Sequence, residues 1–325
     1  MSYTNDDLKI MQAWPLERKI QVTQTRIIEW YQHYNGQVYV SFSGGKDSTV
    51  LLDLARRIYP DIEAVFIDTG LEYPEIKKFV KTFNNVTIIK PEMKFNEVVT
   101  KHGYPVISKK AARQIRDLQN PTSKNINTRN LYMTGVKIDG SISTRFKLAD
   151  KWKPIINSDI KVSEKCCDIM KKKPAREFGK KSGKKPMIAM MATDSEMRKS
   201  SYMKVGCNSF DNGKSNPMGF WTEQDVLHYL KEFNIDYCKI YGDILAKDQF
   251  NGQVVIDQRL ECYEMSMEKR TGCYACMFGV HMEKGENRFQ RMKYTHPKLY
   301  DYCMRPVTEK GLGLAEVLDF IGVEH

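Results

Sequence analysis

Apolar positions in the first part of the chain follow two spacings that alternate. Short runs of β-branched and aromatic residues at 38–40, 63–67 and 86–89 predict buried strands. Between them, apolar residues recur at helical spacing after residue 48 and again over residues 74–83, where a proline opens the helix. Strands that alternate with helices are typical of parallel βαβ units. The pattern therefore predicts an α/β fold with a doubly wound, mostly parallel sheet.

Outside this region the hydrophobic pattern is weaker. Residues 1–35 predict an N-terminal helical segment, and residues 187–192 predict a further buried strand. Residues 221–233 predict a helix with Thr222 as its N-cap residue. Residues 119–160, rich in Asn, Thr, Ser and Lys, show no regular period, and we expect an irregular segment there.

The segment that joins the first strand to the first helix, residues 43–48, has the sequence SGGKDS. Adjacent glycines permit a tight turn, and the start of a helix presents N–H groups and the positive end of its dipole. Gly44 and Gly45 permit the turn, and Ser43 and Ser48 supply two hydroxyl donors. Lys46 supplies a positive charge and Asp47 a carboxylate. Such an arrangement is typical of an anion site. We expect its ligand to be a phosphate group of a nucleotide.

A second motif follows the second predicted strand, where Asp68, Thr69 and Gly70 begin the sequence DTGLEYP. The carboxyl ends of parallel strands meet at one edge of a sheet, and ligands bind in the crevice beyond that edge. Both motifs stand at strand ends. The sequence therefore predicts one nucleotide crevice formed by the loop and by these three residues.

The loop differs from the Walker P-loop, whose first glycine is separated from its Gly-Lys pair by intervening residues. The sequence SGGKDS resembles the pyrophosphate loop (PP-loop) of the adenine-nucleotide α-hydrolase-like superfamily. That superfamily includes ATP pyrophosphatases, tRNA thiolation enzymes and sulfonucleotide reductases. The alternative is a Gly-Gly turn that only joins a strand to a helix. Six specific residues in the required strand–helix context favour the nucleotide loop.

Further segments resemble the PAPS reductase family. The sequence DTGLEYP is similar to the family's D-T-G-x-x-(F/Y)-P segment, and residues 206–230 resemble its W-T-x-x-D-V helix. Residues 192–200 are similar to a basic region in which Arg198 would contact a phosphate or sulfate. Residues 271–303 resemble members carried by phages and mobile elements. The resemblance runs from about residue 17 to 320 and implies a nucleotide-dependent enzyme of sulfur metabolism.

These patterns suggest three regions in chain order. Residues 1–35 form the N-terminal helical segment, and residues 36–235 form the PP-loop nucleotide-binding α/β domain. Residues 236–325 form a less regular C-terminal region that contains cysteines.

Four of the eight cysteines stand in pairs: Cys166 and Cys167 are adjacent, and Cys273 and Cys276 form a C-x-x-C. This pattern resembles the 4Fe–4S ligand pattern of the APS reductases, with Cys207 as a further candidate thiolate. A structural Zn²⁺ site and reduced core thiols are the two alternatives. Disulfides are not expected in a chain that we predict to be cytoplasmic.

The C-terminal segment differs from that of the reductases, which carry a catalytic cysteine there. This chain ends in LAEVLDFIGVEH, with no cysteine after Cys303. A covalent S-sulfocysteine on such a tail is therefore unavailable. Cys303 is the remaining candidate for that role.

The chain has a net charge of +11, which favours polyanionic partners. Residues 165–185 hold nine Lys and Arg residues against two acidic ones, and predict either an anion-binding surface or a solvated loop. The N-terminus is polar and no apolar stretch is long enough to span a bilayer, so we expect a cytoplasmic protein without a membrane partner.

Three functions follow from the sequence. In the first, ATP binds in the loop and is cleaved between its α- and β-phosphates, so that an adenylated acceptor undergoes sulfur transfer. Lys46 would neutralise the leaving pyrophosphate, and Asp47 would hold Mg²⁺ or orient the loop. The second function is reduction of APS or PAPS in the same crevice. The third is a nucleotide- or nucleic-acid-binding module without turnover. Expected partners are the nucleotide and either a nucleic acid or a sulfur carrier.

Overall fold

The computed structural model describes residues 3–247 and 261–325. In the described ranges the helices are α1 Asn5–Gln12, α2 Leu16–His33, α3 Lys46–Arg56, α4 Pro74–Val80, α5 Phe95–His102, α6 Lys109–Gln119, α7 Ile126–Thr134, α8 Lys173–Ser182, α9 Glu196–Val205, α10 Glu223–Glu232, α11 Arg288–Thr295, α12 Pro297–Met304 and α13 Leu314–Phe320. The strands are β1 Val38–Ser41, β2 Ala64–Ile67, β3 Val86–Ile89, β4 Val106–Ile107, β5 Lys185–Ile188, β6 Asn208–Ser209, β7 Lys214–Ser215, β8 Ile244–Lys247, β9 Cys262–Met265 and β10 Met277–Phe278.

A six-stranded sheet has the strand order β3-β2-β1-β5-β7-β6. Its strands are parallel except β6, which pairs antiparallel with β7. Val40 in β1 is in register with Ala64 on one side and Met187 on the other, and all three are buried. Strands covered on both faces read as continuous apolar runs, which is why this part of the chain was readable from its pattern. The predicted α/β fold class with a mostly parallel sheet is confirmed.

Local signals determine where several helices of this part begin. Pro15 separates α1 from α2, because proline lacks the N–H that a helix interior requires. Thr222 and Asp225 form a capping box at the start of α10, as the sequence predicted. The neighbouring Trp221 is fully buried and donates a hydrogen bond to Thr23 in α2 at 2.8 Å.

The chain divides into two compact units with interleaved sequence ranges. The first comprises Met1–Asp68, Glu72–Lys90 and Pro174–Thr271 and contains the six-stranded sheet. The second comprises Thr69–Leu71, Pro91–Lys173 and Gly272–His325, with β4 and β10 pairing in parallel. The three consecutive regions predicted from the sequence are a different division and stay a prediction.

Two predicted elements differ from those observed. The strand expected at 187–192 is β5, which begins earlier, at Lys185, and ends at Ile188. The expected irregular segment contains α7, a helix with no buried residue and therefore no apolar stripe to reveal it. In the described ranges no helix is sufficiently long and apolar to cross a membrane.

Candidate functional site

The predicted loop lies at the carboxyl edge of the sheet, between the end of β1 at Ser41 and the start of α3 at Lys46. Gly44 has a φ of +70°, a left-handed conformation that favours glycine. A Cβ atom there would lie 2.8 Å from the Val80 side chain and 2.9 Å from Ile76 in α4. Both backbone conformation and space therefore require glycine, and the turn brings the chain close to α4.

Hydrogen bonds of two serine hydroxyl groups stabilise the conformation of the loop. The Ser48 hydroxyl accepts a hydrogen bond from the Ser43 N–H at 3.1 Å and lies 3.0 Å from the Ser43 hydroxyl. The Ser48 hydroxyl also donates to the Gly45 carbonyl at 2.9 Å. The N–H groups of the first turn of α3 lack helical acceptors, because the chain before them is not helical. The loop is therefore shaped before any ligand binds, with its helix dipole pointing at the turn.

Lys46 is a buried cation at the start of α3. Its ammonium lies 3.1 Å from the Glu223 carboxylate and donates to the Lys269 carbonyl at 3.0 Å. The Asp47 carboxylate lies farther away, at 3.9 Å. An ammonium group has three N–H donors, so two partners within hydrogen-bond distance leave one donor for a phosphate oxygen.

Tyr241 and Thr271 border the loop and were missed from the sequence. The Tyr241 hydroxyl accepts a hydrogen bond from the Lys46 N–H at 3.2 Å and lies 2.6 Å from the Thr271 hydroxyl. Burial raises the pKa of Tyr241 to about 12, so its hydroxyl keeps its proton at neutral pH. A Cβ atom on Gly45 would approach both hydroxyls, at 3.2 and 3.4 Å. No local motif marks these residues, because they reach the loop from 195 or more positions along the chain.

Asp47 and Arg198, both predicted to act in catalysis, have different surroundings. Burial, more than any other effect, raises the pKa of Asp47, and the carboxylates of Asp194 and Glu223 raise it further. In the described part of the chain its Oδ1 atom is buried without a hydrogen-bond partner. Arg198 forms an ion pair with Asp194. The Asp47 oxygen accepts no hydrogen bond and is a type of ligand that Mg²⁺ prefers, while the guanidinium of Arg198 is held by an acid.

The second motif is divided between the units. Asp68 belongs to the first unit, and its carboxylate lies 2.6 Å from the Lys77 ammonium. Thr69 and Gly70 belong to the second unit, where the Thr69 hydroxyl accepts a hydrogen bond from the Leu71 N–H at 3.2 Å. Their predicted role in nucleotide binding stays a prediction.

Four of the predicted metal ligands are brought together in the second unit. Burial raises the pKa of the Cys166 thiol strongly, and the thiols of Cys167, Cys273 and Cys276 raise it further. The adjacent cysteines begin a helix that continues as a π-helical turn, Asp168–Lys172. Turns of this kind are rare and occur often at functional sites. They also alter the directions in which neighbouring side chains point.

The C-x-x-C segment is a tight turn held by backbone groups of the same unit. The Cys276 N–H donates to the Cys273 carbonyl at 3.0 Å, and the Arg288 guanidinium donates to the Cys276 carbonyl at the same distance. Between the two cysteines, the Tyr274 N–H donates to the Leu71 carbonyl at 2.9 Å. The turn is thus tied to the residues that follow Asp68.

Cys207 and Cys303 lie elsewhere. Cys207 is buried in the first unit, where its thiol donates a hydrogen bond to the Pro217 carbonyl at 3.7 Å. The Tyr202 hydroxyl is a second hydrogen-bonding neighbour of this thiol. Cys303 in α12 is fully buried, and burial raises the pKa of its thiol to about 12. No set of three or more His, Cys, Asp or Glu side chains in the described ranges has a geometry ready to hold a metal ion.

Fold and site together define an α/β protein with a glycine-containing strand–loop–helix unit at the carboxyl edge of a parallel sheet. The chain belongs to the phosphoadenosine phosphosulfate reductase domain family, whose family model matches residues 37–277. The resemblance found in the sequence motifs is thereby confirmed at the level of the family. The phage and mobile-element type stays a prediction.

Individual relatives are more distant. An adenosine 5'-phosphosulfate reductase of Anoxybacillus flavithermus is 23% identical over 245 residues, which cover 74% of this chain and 83% of that protein. An uncharacterized protein of Methanocaldococcus jannaschii is 36% identical over 94 residues, 28% of this chain and 23% of the relative's length. A crystal structure of phosphoadenylyl-sulfate reductase from Candida auris, a phosphate complex, aligns with a TM-score of 0.38 and 15% identity, covering 74% of this chain and 91% of that one.

Proposed function

We propose that this protein is an enzyme that binds ATP in the loop of residues 43–48 and releases pyrophosphate from it, adenylating an acceptor for sulfur transfer. The observation that carries the proposal is the combination at the loop of a glycine that admits no side chain and a buried cation. Gly44 sets the close backbone approach, and Lys46 places an ammonium at the same turn. Such loops bind phosphate groups through backbone N–H donors and a lysine.

The residues of the loop have separable roles in this proposal. The acceptor oxygen attacks the α-phosphorus, the bond to the bridging oxygen breaks, and pyrophosphate leaves with that electron pair. The Lys46 ammonium neutralises the leaving group, since charge develops there in the transition state. Ser43 and Ser48 hold the loop that receives the pyrophosphate oxygens. Displacement of AMP by a sulfur nucleophile completes the transfer.

A metal ion and a cluster belong to this proposal. The buried oxygen of Asp47, which accepts no hydrogen bond, would hold Mg²⁺, and the ion would supply charge compensation for the phosphates. The thiols of Cys166, Cys167, Cys273 and Cys276, which interact electrostatically, would hold an iron–sulfur cluster that carries or activates sulfur. Structural Zn²⁺ on the same thiols is the alternative. The cytoplasmic location predicted from the sequence belongs to the proposal as well.

The second candidate is reduction of APS or PAPS, which membership of the reductase family favours. Against Cys303 as the nucleophile of that reaction stands the burial of its thiol in α12. A thiol with a pKa of about 12 presents almost no thiolate at neutral pH, and the thiolate is the nucleophile.

One experiment separates the two candidates. Protein purified under anaerobic conditions is incubated either with ATP or with APS or PAPS and thioredoxin, and pyrophosphate and sulfite are measured. Pyrophosphate from ATP supports the first candidate. Sulfite from a sulfonucleotide, with no pyrophosphate from ATP, replaces it with the second.

We expect Cys303→Ala to leave either activity within about twofold of the wild-type rate, because a buried and protonated thiol takes no part in chemistry. The measurement is the turnover rate of the variant, together with alkylation of the native wild-type protein by iodoacetamide. Loss of sulfite formation in a folded Cys303→Ala variant would identify Cys303 as the nucleophile and contradict this prediction.

For the cysteine cluster we expect Cys273→Ser to lose bound iron and sulfide, along with the visible absorption of the anaerobic protein. Cys207→Ser should keep both, because Cys207 lies in the other unit. Cys262→Ser is the matched control, a free and partly exposed thiol outside both groups. Iron and sulfide analysis per chain gives the result. A colourless protein that contains zinc would refute the iron–sulfur cluster, and equal metal loss in all three variants would refute the ligand assignment.

A further inference from the structure

One segment of the second unit has a large excess of positive over negative charge. Residues 109–153 contain eleven Lys or Arg residues and three Asp residues, a net charge of +8, while the whole chain carries +11. This segment is distinct from the basic run at 165–185 that the sequence patterns singled out. A field of one sign concentrated on one part of a protein attracts polyanions.

Hydrogen bonds join separate parts of this segment. The Lys110 ammonium in α6 donates a hydrogen bond to the Arg145 carbonyl, and the Gln114 amide donates to the Phe146 carbonyl at 2.5 Å. The Leu148 N–H donates to the Tyr132 carbonyl of α7 at 2.8 Å. The basic residues of α6 and those near Arg145 are therefore neighbours in space as well as close in sequence.

Several of these cations have no counter-ion. Arg116 is paired with Asp117 and Glu164, and the two lysines beside Asp150 are paired with it. By contrast, Lys109, Arg113 and Arg145 are exposed, and they form no ion pair with the residues that the structure describes. Arg113 lies one turn after Lys110 on α6, and Lys110 contacts the Arg145 backbone. We call Lys109, Lys110, Arg113 and Arg145 the basic surface.

Exposed apolar groups lie next to the basic surface. Residues 126–146 hold five exposed large hydrophobic side chains, Ile126, Met133, Ile138, Ile142 and Phe146. A cavity of about 470 Å³ between α7 and the turn at 137–139 is lined by Asn127, Thr128, Leu131, Lys137, Ile138 and Asp139. Apolar patches rimmed by polar groups mark interaction sites. The cavity adds amide and hydroxyl groups that can bind a polar ring edge.

We propose that the basic surface and the adjoining apolar patch bind single-stranded nucleic acid. The unpaired cations match a phosphate backbone, and the exposed Phe146 and isoleucines match the apolar faces of unstacked bases. A duplex hides its base faces and would leave this apolar patch uncovered, so the single strand is the better fit. An acidic protein would match the cations but offers no row of flat apolar rings.

Fluorescence anisotropy of the full chain with a labelled single-stranded oligonucleotide, DNA and RNA in parallel and without ATP, tests the proposal. We expect saturable binding that weakens with salt. The double variant Arg113→Glu with Arg145→Glu should bind at least about tenfold more weakly. In Arg113→Gln with Arg145→Gln, loss of two phosphate contacts should reduce the slope of log affinity against log salt by about 1.4.

The matched control is Lys204→Glu with Lys214→Glu, an equal change of net charge at two exposed lysines of the first unit that lie outside residues 165–185. Its affinity should stay within about twofold of the wild type, because it lies outside the basic surface. Equal weakening in both pairs would show a response to net charge alone and overturn the proposal. Tighter binding of a duplex, displacement by a poly-glutamate peptide at equal charge, or no binding by the wild type would also overturn it. Because ATP is absent, none of these outcomes depends on the proposed adenylation, and thermal unfolding of each variant verifies its fold.

Discussion

Lys46→Ala is expected to reduce pyrophosphate release from ATP by about 100-fold to 1,000-fold, the usual cost of removing one group that stabilises transition-state charge. The ammonium of Lys46 is buried at the loop, with one donor left after Glu223 and the Lys269 carbonyl. Glu223 is about half exposed, so its carboxylate stays solvated when Lys46 is removed. We therefore expect a folded variant with a lower turnover rate, measured by pyrophosphate release at saturating ATP.

The control for this variant is Lys269→Ala. The Lys269 side chain is 73% exposed and only its backbone carbonyl contacts Lys46, so the substitution should keep the wild-type rate. If Lys46→Ala retained more than about a tenth of the activity while folded, the role of Lys46 in neutralising the leaving group would be wrong.

Gly44→Ala is expected to lower the free energy of unfolding by about 2–6 kcal/mol. One part is the strain of a side chain at a φ of +70°, about 1–3 kcal/mol. The other part is the overlap of the new methyl group with Val80 and Ile76, at 2.8 and 2.9 Å, which adds about 1–3 kcal/mol. Urea denaturation followed by circular dichroism measures the total, and nucleotide binding should weaken because the loop must move.

Gly140→Ala separates the two parts. Gly140 has a φ of +79° and no atom within 4 Å of the position of its missing Cβ, so it keeps the strain and lacks the overlap. Its expected cost is therefore the strain alone, about 1–3 kcal/mol. Equal losses in the two variants would show that close packing of the loop against α4 contributes nothing.

Local signals made most of the sheet and the loop readable from the sequence. The strands β1, β2 and β3 are short apolar runs bounded by turn residues, and the capping box of Thr222 and Asp225 marks α10. Each signal lies within a few residues of the element it predicts. The glycine pair and lysine of the loop are local in the same sense.

The remainder depends on contacts between distant parts of the chain. Tyr241 and the Lys269 carbonyl reach Lys46 from 195 and 223 positions away, and no periodicity encodes such a contact. Arg198 and Asp194 are four residues apart and form an ion pair. The family resemblance predicted a contact of Arg198 with a phosphate or sulfate instead. Cys207 shares a residue type with the paired cysteines, and only the structure shows that it lies in the other unit.

The central claim, that the loop of residues 43–48 is the nucleotide site, is tested most directly by equilibrium binding of labelled ATP to the wild-type protein and to Lys46→Ala. We predict saturable binding by the wild type, competition by inorganic pyrophosphate, and at least tenfold weaker binding by the variant, about the energy of one charged hydrogen bond. Binding that pyrophosphate does not displace, with equal affinity in the two proteins, would contradict the assignment of the loop as the nucleotide site.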